Sequence, residues 1–166
     1  MKKIALSCLL FLALAIAAMA AAPVTQRNET VPRDISGVMD GRFTFEQWGP
    51  DWWDIYTHGD VGGTLRHLGL AKIYTTHTPH LDGTLSDGTF TIVAANGDKI
   101  WGTYEGSGFY ISESQVLATT AFLIEGGTGR FARATGMITA SFLETFDDPT
   151  FYSAKVTWSL VGTVSY

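Results

Sequence analysis

Glu125-Gly-Gly-Thr-Gly-Arg-Phe-Ala-Arg-Ala-Thr-Gly136 joins two segments in which apolar and polar residues alternate, and four of its residues are glycines. Glycine adopts φ > 0 and lets two backbones approach closely. The first three glycines therefore allow the chain to turn sharply, after which Phe131 is expected to fold back onto an apolar core and Gly136 to restart a strand. This pattern predicts a corner of a β-barrel.

The chain after Gly41 has the period-two alternation of β-strands, with turn signals between short runs and no helical period. Asn96-Gly97 is the strongest turn signal and predicts a two-residue hairpin turn with φ > 0 at both positions. Asp82-Gly83 and Asp87-Gly88 predict further turns before it. Eight strands are predicted, at residues 42–48, 54–65, 70–78, 90–95, 99–105, 116–125, 137–146 and 152–164.

Eight antiparallel strands can close into a barrel that has no exposed edges and an interior wide enough for packed side chains or one small ligand. The sequence therefore predicts an all-β fold, an eight-stranded antiparallel β-barrel formed by residues 41–166. A two-sheet sandwich is the alternative, because short alternating strands are also typical of that architecture.

Residues 1–22 have the pattern of a secretory signal peptide: two lysines, an apolar run too short to span a bilayer, and small residues at the cleavage site. Cleavage is expected to leave Ala21 or Pro23 as the first residue of the mature chain. Residues 23–40 are polar and show no alternation, which predicts a flexible linker. We expect a secreted or periplasmic bacterial protein.

Composition excludes several classes of function for the exported chain. Cys8, the only cysteine, lies in the predicted signal peptide, so no disulfide, thiolate nucleophile or cysteine metal site is expected. The formal net charge is −5, and loss of Lys2 and Lys3 with the signal peptide takes it to −7. No cluster of Lys and Arg occurs along the sequence, so no nucleic-acid partner is expected. No membrane anchor is expected after cleavage.

Four segments of the chain resemble one family of proteins. They are the glycine-rich segment at residues 126–136, Ala95-Asn-Gly-Asp98, Gly63-Thr-Leu-Arg-His-Leu-Gly69 and Gly162-Thr-Val-Ser-Tyr166. Together they resemble the secreted bacterial proteins with an allene oxide cyclase type of barrel. The glycine-rich segment is also similar to that of plant dirigent proteins. The resemblance covers residues 41–166.

This resemblance implies an eight-stranded antiparallel barrel, often a homotrimer, with an apolar cavity for a hydrophobic or aromatic molecule. Plant relatives guide the cyclisation or coupling of a reactive intermediate by confining it, without a metal or an organic cofactor. The polar cavity residues that distinguish cyclases from dirigent proteins have no counterpart that can be placed in this chain. The resemblance is therefore specific for the fold and weak for a reaction.

Glu144 is the first candidate for acid–base chemistry. Alternation places it on the same strand face as the apolar residues Phe142 and Phe146. A carboxyl group removed from water among apolar neighbours has a raised pKa and can donate or accept a proton. The alternative is a solvated residue at the rim of the barrel beside Asp147, because Glu is rarely fully buried.

Aromatic residues of three strands are candidates for the walls of a ligand site. Trp158 and Phe142 are expected to face the interior. Tyr104 is either a second catalytic candidate or a core aromatic whose hydroxyl finds a partner. Trp101 points away from Tyr104 on the same strand, so at most one of the two faces the interior, and a one-residue error in register would exchange them. Both are therefore kept as candidates.

Tyr56 is a further candidate ligand contact, because it follows the tryptophan-rich segment Trp48-Gly-Pro-Asp-Trp-Trp-Asp54. This segment is predicted to form an aromatic lip over a ligand, a plug in the barrel end or an oligomer contact. Large exposed aromatic patches usually mark a contact of some kind.

The four histidines do not have the spacing of a metal site. His77 and His80 are three residues apart, which puts them on opposite faces of a strand, and no acidic partner for the imidazoles is identified. His67 lies within the 63–69 segment, where a role in a turn is expected. No metal and no other cofactor is predicted.

Three functions stay open from the sequence. The first is a secreted barrel protein that binds a small hydrophobic or aromatic molecule, with cofactor-free cyclase or isomerase activity in which Glu144 and Tyr104 act on a confined substrate. The second is a carrier or scavenger that leaves its ligand unaltered. The third is an oligomeric structural protein of the cell envelope whose barrel is filled by side chains.

Overall fold

A computed structural model describes residues 31–47, 55–147 and 153–166, which form a closed barrel of antiparallel strands. The strands are β1 (Pro32–Gln47), β2 (Ile55–Leu65), β3 (Gly69–Pro79), β4 (Thr84–Ala94), β5 (Lys99–Ser112), β6 (Gln115–Gly127), β7 (Thr135–Phe146) and β8 (Ser153–Ser165). Each strand pairs with the next one in the chain, and β1 pairs with β8 to close the barrel. The predicted barrel is confirmed and the sandwich is excluded. The predicted signal peptide, residues 1–22, lies outside the described residues.

Alternation along the strands builds the core. In β3, for example, Ala71, Ile73, Thr75 and His77 point inward and are buried, while the residues between them are partly or fully exposed. Burying the inward apolar set removes a large hydrocarbon surface from water, and this stabilises the closed barrel. The most deeply buried aliphatic side chains, each at most 2% exposed, are Ile35, Met39, Val61, Leu65, Leu68, Ile73, Ile92, Ile100, Ile124, Ile138, Val156, Leu160 and Val164.

One end of the barrel is covered by the connection between β6 and β7. The chain leaves β6 at Gly127, makes a single 3₁₀ turn at Gly129–Phe131, and enters β7 through Gly136, which has φ +145°. The ring of Phe131 is fully buried and lies 4.7 Å from the ring of Tyr166, centroid to centroid. The predicted barrel corner is confirmed. Among the described residues, no helix has the length and apolar character needed to cross a bilayer.

The two ends of the barrel differ in what they contain. The capped end, defined by Leu68, Phe131 and Ala134, is closed by side chains that are at most 2% exposed. The distal end lies opposite and holds the connections that follow β1, β3, β5 and β7. Two of these connections, residues 48–54 and 148–152, lie outside the described residues.

The barrel begins earlier than the sequence predicts. β1 starts at Pro32, inside the predicted linker of residues 23–40, so that prediction is wrong from Pro32 onward. The alternation in this segment is hidden because Gly37 and Gly41 occupy inward-facing positions. A Cβ at either position would collide with a backbone carbonyl oxygen of β2, so the close approach of the two strands requires glycine.

The predicted Asn96-Gly97 hairpin is confirmed, but its turn has a different geometry. Gly97 has φ +85° and its N–H donates to the carbonyl of Ala94 at 2.9 Å, whereas Asn96 has no positive φ. The turn predicted at Asp87-Gly88 is wrong, because β4 continues through it and the register with β5 shifts there. Asp87, at φ +54°, marks a β-bulge, and an Asp-Gly pair satisfies a bulge as well as a turn.

Candidate functional site

Aromatic rings from five strands meet in the middle of the barrel. They form a closed circuit in which Phe43 contacts His77, His77 contacts Tyr104, Tyr104 contacts Phe122, Phe122 contacts Trp158 and Trp158 contacts Phe43 again. The distances between ring centroids range from 4.7 to 6.1 Å, which is the usual range for edge-to-face and stacked rings. On β8, for example, Leu160 and Val164 lie between Trp158 and the capped end, whereas Ala154 and Val156 lie between Trp158 and the distal end.

Glycines on the inward face make room for these rings. A Cβ at Gly59 would lie 2.6 Å from the ring of Phe43, and a Cβ at Gly88 would lie 2.9 Å from the ring of Tyr104. Real Cβ atoms do not approach other atoms so closely. Each glycine therefore gives the space of its own side chain to an aromatic side chain of a neighbouring strand.

His77 and Tyr104 form a buried hydrogen-bonded pair. The Tyr104 hydroxyl oxygen lies 2.6 Å from Nδ1 of His77, and the two residues are 6% and 4% exposed. Burial lowers the pKa of His77 to about 4, so its imidazole is neutral at pH 7. A neutral imidazole has one donor and one acceptor nitrogen, and a phenol can donate or accept. The pair can therefore present a donor or an acceptor to a molecule in the interior without a net charge.

Glu144 is buried on β7, one inward position nearer the distal end than Phe142. It is 7% exposed, and its partners on the two neighbouring strands are Val116 and Val156. Burial among these apolar residues raises its pKa to about 8, so the carboxyl group is mainly protonated at pH 7. The interpretation of Glu144 as a solvated rim residue does not hold. A protonated carboxyl group can donate a hydrogen bond as well as accept one.

Four buried polar atoms of the interior have no hydrogen-bond partner among the described residues. They are Oγ1 of Thr75, Oγ1 of Thr120, Oε1 of Glu144 and Nε1 of Trp158. Leaving a buried polar group unpaired costs about 1–3 kcal/mol, and buried polar atoms in folded proteins are almost always satisfied. Four such atoms in one barrel interior indicate positions where a bound molecule or ordered water supplies the missing hydrogen bonds.

Four of the six candidate residues named from the sequence come together in this interior. Tyr104, Phe142, Glu144 and Trp158 are all buried, and the ring of Phe142 stacks on that of Trp158 with 5.3 Å between centroids. Phe142 and Trp158 are also directly paired across β7 and β8. The shared face predicted for them is therefore present in the structure.

Trp101 does not line this interior, so the prediction that it contacts a ligand there is wrong. It lies on the outer surface, 39% exposed, while its neighbours Ile100 and Gly102 point inward. Its indole lies beside Gly126 of β6, where a Cβ would be 3.0 Å from the ring. Of the two alternatives left open for β5, the structure places Tyr104 inside. Tyr56 lies in β2, and its side chain is outside what the structure describes.

Aromatic residues also surround the distal rim. Phe45 and Phe146 lie 5.7 Å apart, and Tyr110 stacks on Phe146 at 6.3 Å, both measured between ring centroids. The pKa of Tyr110 is raised, first by partial burial and then by the charge of Glu144. Val116 is the cross-strand partner of both residues. The segment 48–54, predicted as an aromatic lip, plug or oligomer contact, lies outside the described residues.

The histidines are dispersed over the barrel. His77 is inside, His58 and His80 are exposed with Glu46 and Ser86 as neighbours, and His67 adopts φ +67° in the turn after β2. The turn role expected for His67 is therefore confirmed. Within the described ranges, no group of three or more His, Cys, Asp or Glu side chains is arranged to hold a metal ion.

His77 is the functional candidate that the sequence analysis missed as an interior residue. Its neighbourhood Thr75-Thr-His-Thr-Pro79 is polar and gives no impression of a buried strand. The alternation of β3 continues from the inward positions 71 and 73 to positions 75 and 77. Following this alternation along the sequence would have identified His77 as an inward residue.

Comparisons with known proteins concern the fold alone. No family model matches this chain, and no curated protein matches it. Among solved structures, the chain is similar to the pterocarpan synthase dirigent protein GePTS1, with 16% sequence identity and a TM-score of 0.49. The similarity covers 81% of this chain and 86% of that chain.

Proposed function

We propose that this protein binds a small hydrophobic or aromatic molecule in the distal half of the barrel interior. The observation that supports this proposal is a set of four polar atoms without a partner in the described part of the chain, on Thr75, Thr120, Glu144 and Trp158, surrounded by aromatic and aliphatic walls. A mostly apolar enclosure with a few polar groups at fixed positions is typical of small-molecule sites.

A cofactor-free cyclase or isomerase is the finer form of this proposal. Glu144 is the acid–base group, since a carboxyl with a pKa of about 8 exchanges its proton near neutral pH. Tyr104 and His77 hold a polar atom of the substrate at a fixed position, and the rings of Phe142 and Trp158 restrict its conformation. Confinement of one conformer away from water lowers the barrier of an intramolecular reaction without a cofactor.

A carrier or scavenger is the second candidate, and it uses the same interior. It is favoured by the hydrogen bond between His77 and Tyr104, which engages both polar groups in the resting protein. The third candidate is an oligomeric envelope protein whose barrel is filled by side chains. In that case the ring circuit is a packed core and the protein retains no small molecule.

We also propose that the barrel assembles with copies of itself, as a trimer, in the periplasm or outside the cell. The outer surface of β5, β6 and β7 supports this assembly. Phe109, Leu117 and Leu143 form one cross-strand row of exposed apolar side chains, and Leu123 pairs with Met137 in another. Exposed apolar patches of this kind usually mark protein contacts.

Native mass spectrometry of the protein purified from its own cells separates the candidates. A retained molecule of unchanged structure supports the carrier, and a molecule that the purified protein converts on incubation supports the enzyme. Titration with N-phenyl-1-naphthylamine, a neutral dye that becomes fluorescent in apolar surroundings, tests binding without knowledge of the ligand. The absence of both a retained molecule and saturable dye binding would support the filled barrel.

A further inference from the structure

The charged and polar groups of the interior and of the distal end indicate which class of molecule the proposed site binds. This inference rests on the proposed function. We infer that the site binds an uncharged molecule that carries a hydrogen-bond acceptor, such as a carbonyl or ether oxygen. This oxygen accepts a hydrogen bond from the indole N–H of Trp158. The site rejects carboxylates.

Trp158 fixes the polarity of the ligand atom. Its side chain is 1% exposed, and its Nε1 has no partner among the described residues. An indole nitrogen donates a hydrogen bond and cannot accept one. A ligand that satisfies it must therefore present an acceptor, and an apolar molecule of the same shape would leave the cost of the unpaired N–H in place.

Glu144 stands next to Trp158 and limits the charge that the ligand can carry. Val156 is the cross-strand partner of Glu144 and lies one inward position from Trp158 on β8, so the two side chains project from neighbouring strands at consecutive levels. An anion here would face a carboxyl group whose own ionised form is already disfavoured by burial. A carboxylate ligand would bring an uncompensated negative charge into the same apolar surroundings, and the cost of that charge rises as less water is present.

Cations that could neutralise an anionic ligand are absent from the described interior. Its buried polar or charged side chains are Thr75, His77, Thr120 and Glu144, and burial keeps the imidazole of His77 uncharged at pH 7. Specific recognition of carboxylates in proteins uses Arg or Lys, or a set of backbone N–H groups. Among the residues that the structure describes, the interior offers uncharged donors only.

The described distal end offers no cation to a ligand in the interior. The connections at residues 80–83 and 113–114 contain no Lys or Arg, and they hold the acidic residues Asp82 and Glu113. Asp147, which follows β7, pairs with Arg42 of β1, and Lys155 is the cross-strand partner of Arg42. Both basic residues are exposed on the outer face of the barrel, so neither can neutralise an anion inside it.

Four probes that share one ring system test this inference: naphthalene, 2-acetylnaphthalene, 2-naphthoate and 2-naphthylmethylammonium. Their dissociation constants are measured at pH 7 by isothermal titration calorimetry, because Trp48, Trp52, Trp53 and Trp101 fluoresce as well as Trp158. We expect the ketone to bind several-fold more tightly than naphthalene, by the worth of one buried hydrogen bond. We expect both ions to bind about tenfold or more weakly than the ketone.

The W158F variant tests whether the indole of Trp158 causes the preference for the ketone over naphthalene. It keeps an aromatic ring in the circuit and removes the N–H, so the ketone should lose its advantage while naphthalene binds as before. The same calorimetric titrations measure these affinities. W101F provides the matched control, since it makes the same change at an indole on the outer surface, 39% exposed, and should keep the preference for the ketone.

The outcomes separate this inference from the proposed function. Naphthalene binding together with equal or tighter binding of 2-naphthoate or of the ammonium probe would overturn the inference and leave the proposed apolar site intact. An equal ketone advantage in W158F would overturn the role of the indole. Failure of all four probes to bind would contradict the proposed function and the inference together.

Discussion

The hydroxyl of Tyr104 and the Nδ1 atom of His77 lie 2.6 Å apart within the closed barrel, joining β5 to β3. These strands are not neighbours, since β4 lies between them. The hydrogen bond therefore crosses the inward face of β4. Gly88 has no side chain there, which leaves space for the phenol ring. The hydrogen bond ties together two walls of the proposed site and fixes the position of both polar groups.

Removal of the Tyr104 hydroxyl should destabilise the barrel. Y104F leaves the ring in place but deprives a buried imidazole nitrogen of its partner, so we expect the free energy of unfolding to fall by about 1–3 kcal/mol. Y110F is the control, because Tyr110 is 65% exposed and its change should stay within about 0.5 kcal/mol. Urea denaturation at pH 7 measures both. Equal stability of Y104F and the wild type would show that the hydrogen bond contributes nothing.

Glu144 should make the stability of the protein fall as the pH rises from 6.5 to 8. Its pKa is raised from 4.5 to about 8 in the folded state, so over this range the folded protein holds a proton that the unfolded chain has released. Because proton binding and folding are linked, the free energy of unfolding should decrease by about 2 kcal/mol between pH 6.5 and pH 8. His77, with a pKa lowered to about 4, acts in the opposite direction and only below pH 6.5.

The E144Q variant isolates this contribution. It should lose the decline between pH 6.5 and 8, whereas E113Q, at an exposed position, should keep it. Unfolding free energies from urea titrations at several pH values provide the comparison. Parallel curves for E144Q and the wild type would mean that Glu144 does not hold its proton in the folded protein.

The buried hydroxyls of Thr75 and Thr120 should be dispensable for folding and useful for binding. T75V and T120V each replace a hydroxyl that lacks a partner among the described residues with a methyl group, so stability should be unchanged or higher by up to about 1 kcal/mol. T76V is the control, because the hydroxyl of Thr76 bonds that of Thr89 at 2.8 Å. A clear loss of stability in T75V and T120V, measured by thermal unfolding, would indicate partners that serve the fold itself.

Two glycines with positive φ should respond very differently to alanine. Gly136 has φ +145°, and a Cβ there would collide with the carbonyl oxygen of Thr163, so G136A should be strongly destabilising. Gly97 has φ +85°, and no atom of the described residues lies within 4 Å of a Cβ added there, so G97A should cost only about 1 kcal/mol for the backbone conformation. Comparable losses in the two variants would contradict the packing described for the barrel corner.

The fold could be predicted from the sequence because alternation and turn chemistry act locally. The corner before Gly136 and the hairpin at Asn96-Gly97 follow from glycine's freedom at φ > 0. The beginning of β1 could not be predicted in this way, because Gly37 occupies an inward position where an apolar side chain would normally mark the strand. Pattern alone does not distinguish such a glycine from one in a linker.

The candidate site could be predicted in part for the same reason. Glu144 was expected on an apolar face because its own strand supplies the pattern. The pairing of His77 with Tyr104 depends on the register across β3, β4 and β5, which short-range sequence signals do not specify. The choice between Tyr104 and Trp101 also needed the register, since both side chains suit either face of a strand.

Chemical-shift mapping of the backbone amides on addition of 2-acetylnaphthalene tests the central claim most directly. If the distal interior is the binding site, shifts will concentrate at inward residues such as His77, Tyr104 and Glu144, and the aliphatic core near Ile35 will be unaffected. Shifts confined to the exposed pair Leu123 and Met137, or no saturable shifts at all, would contradict a ligand site inside this barrel.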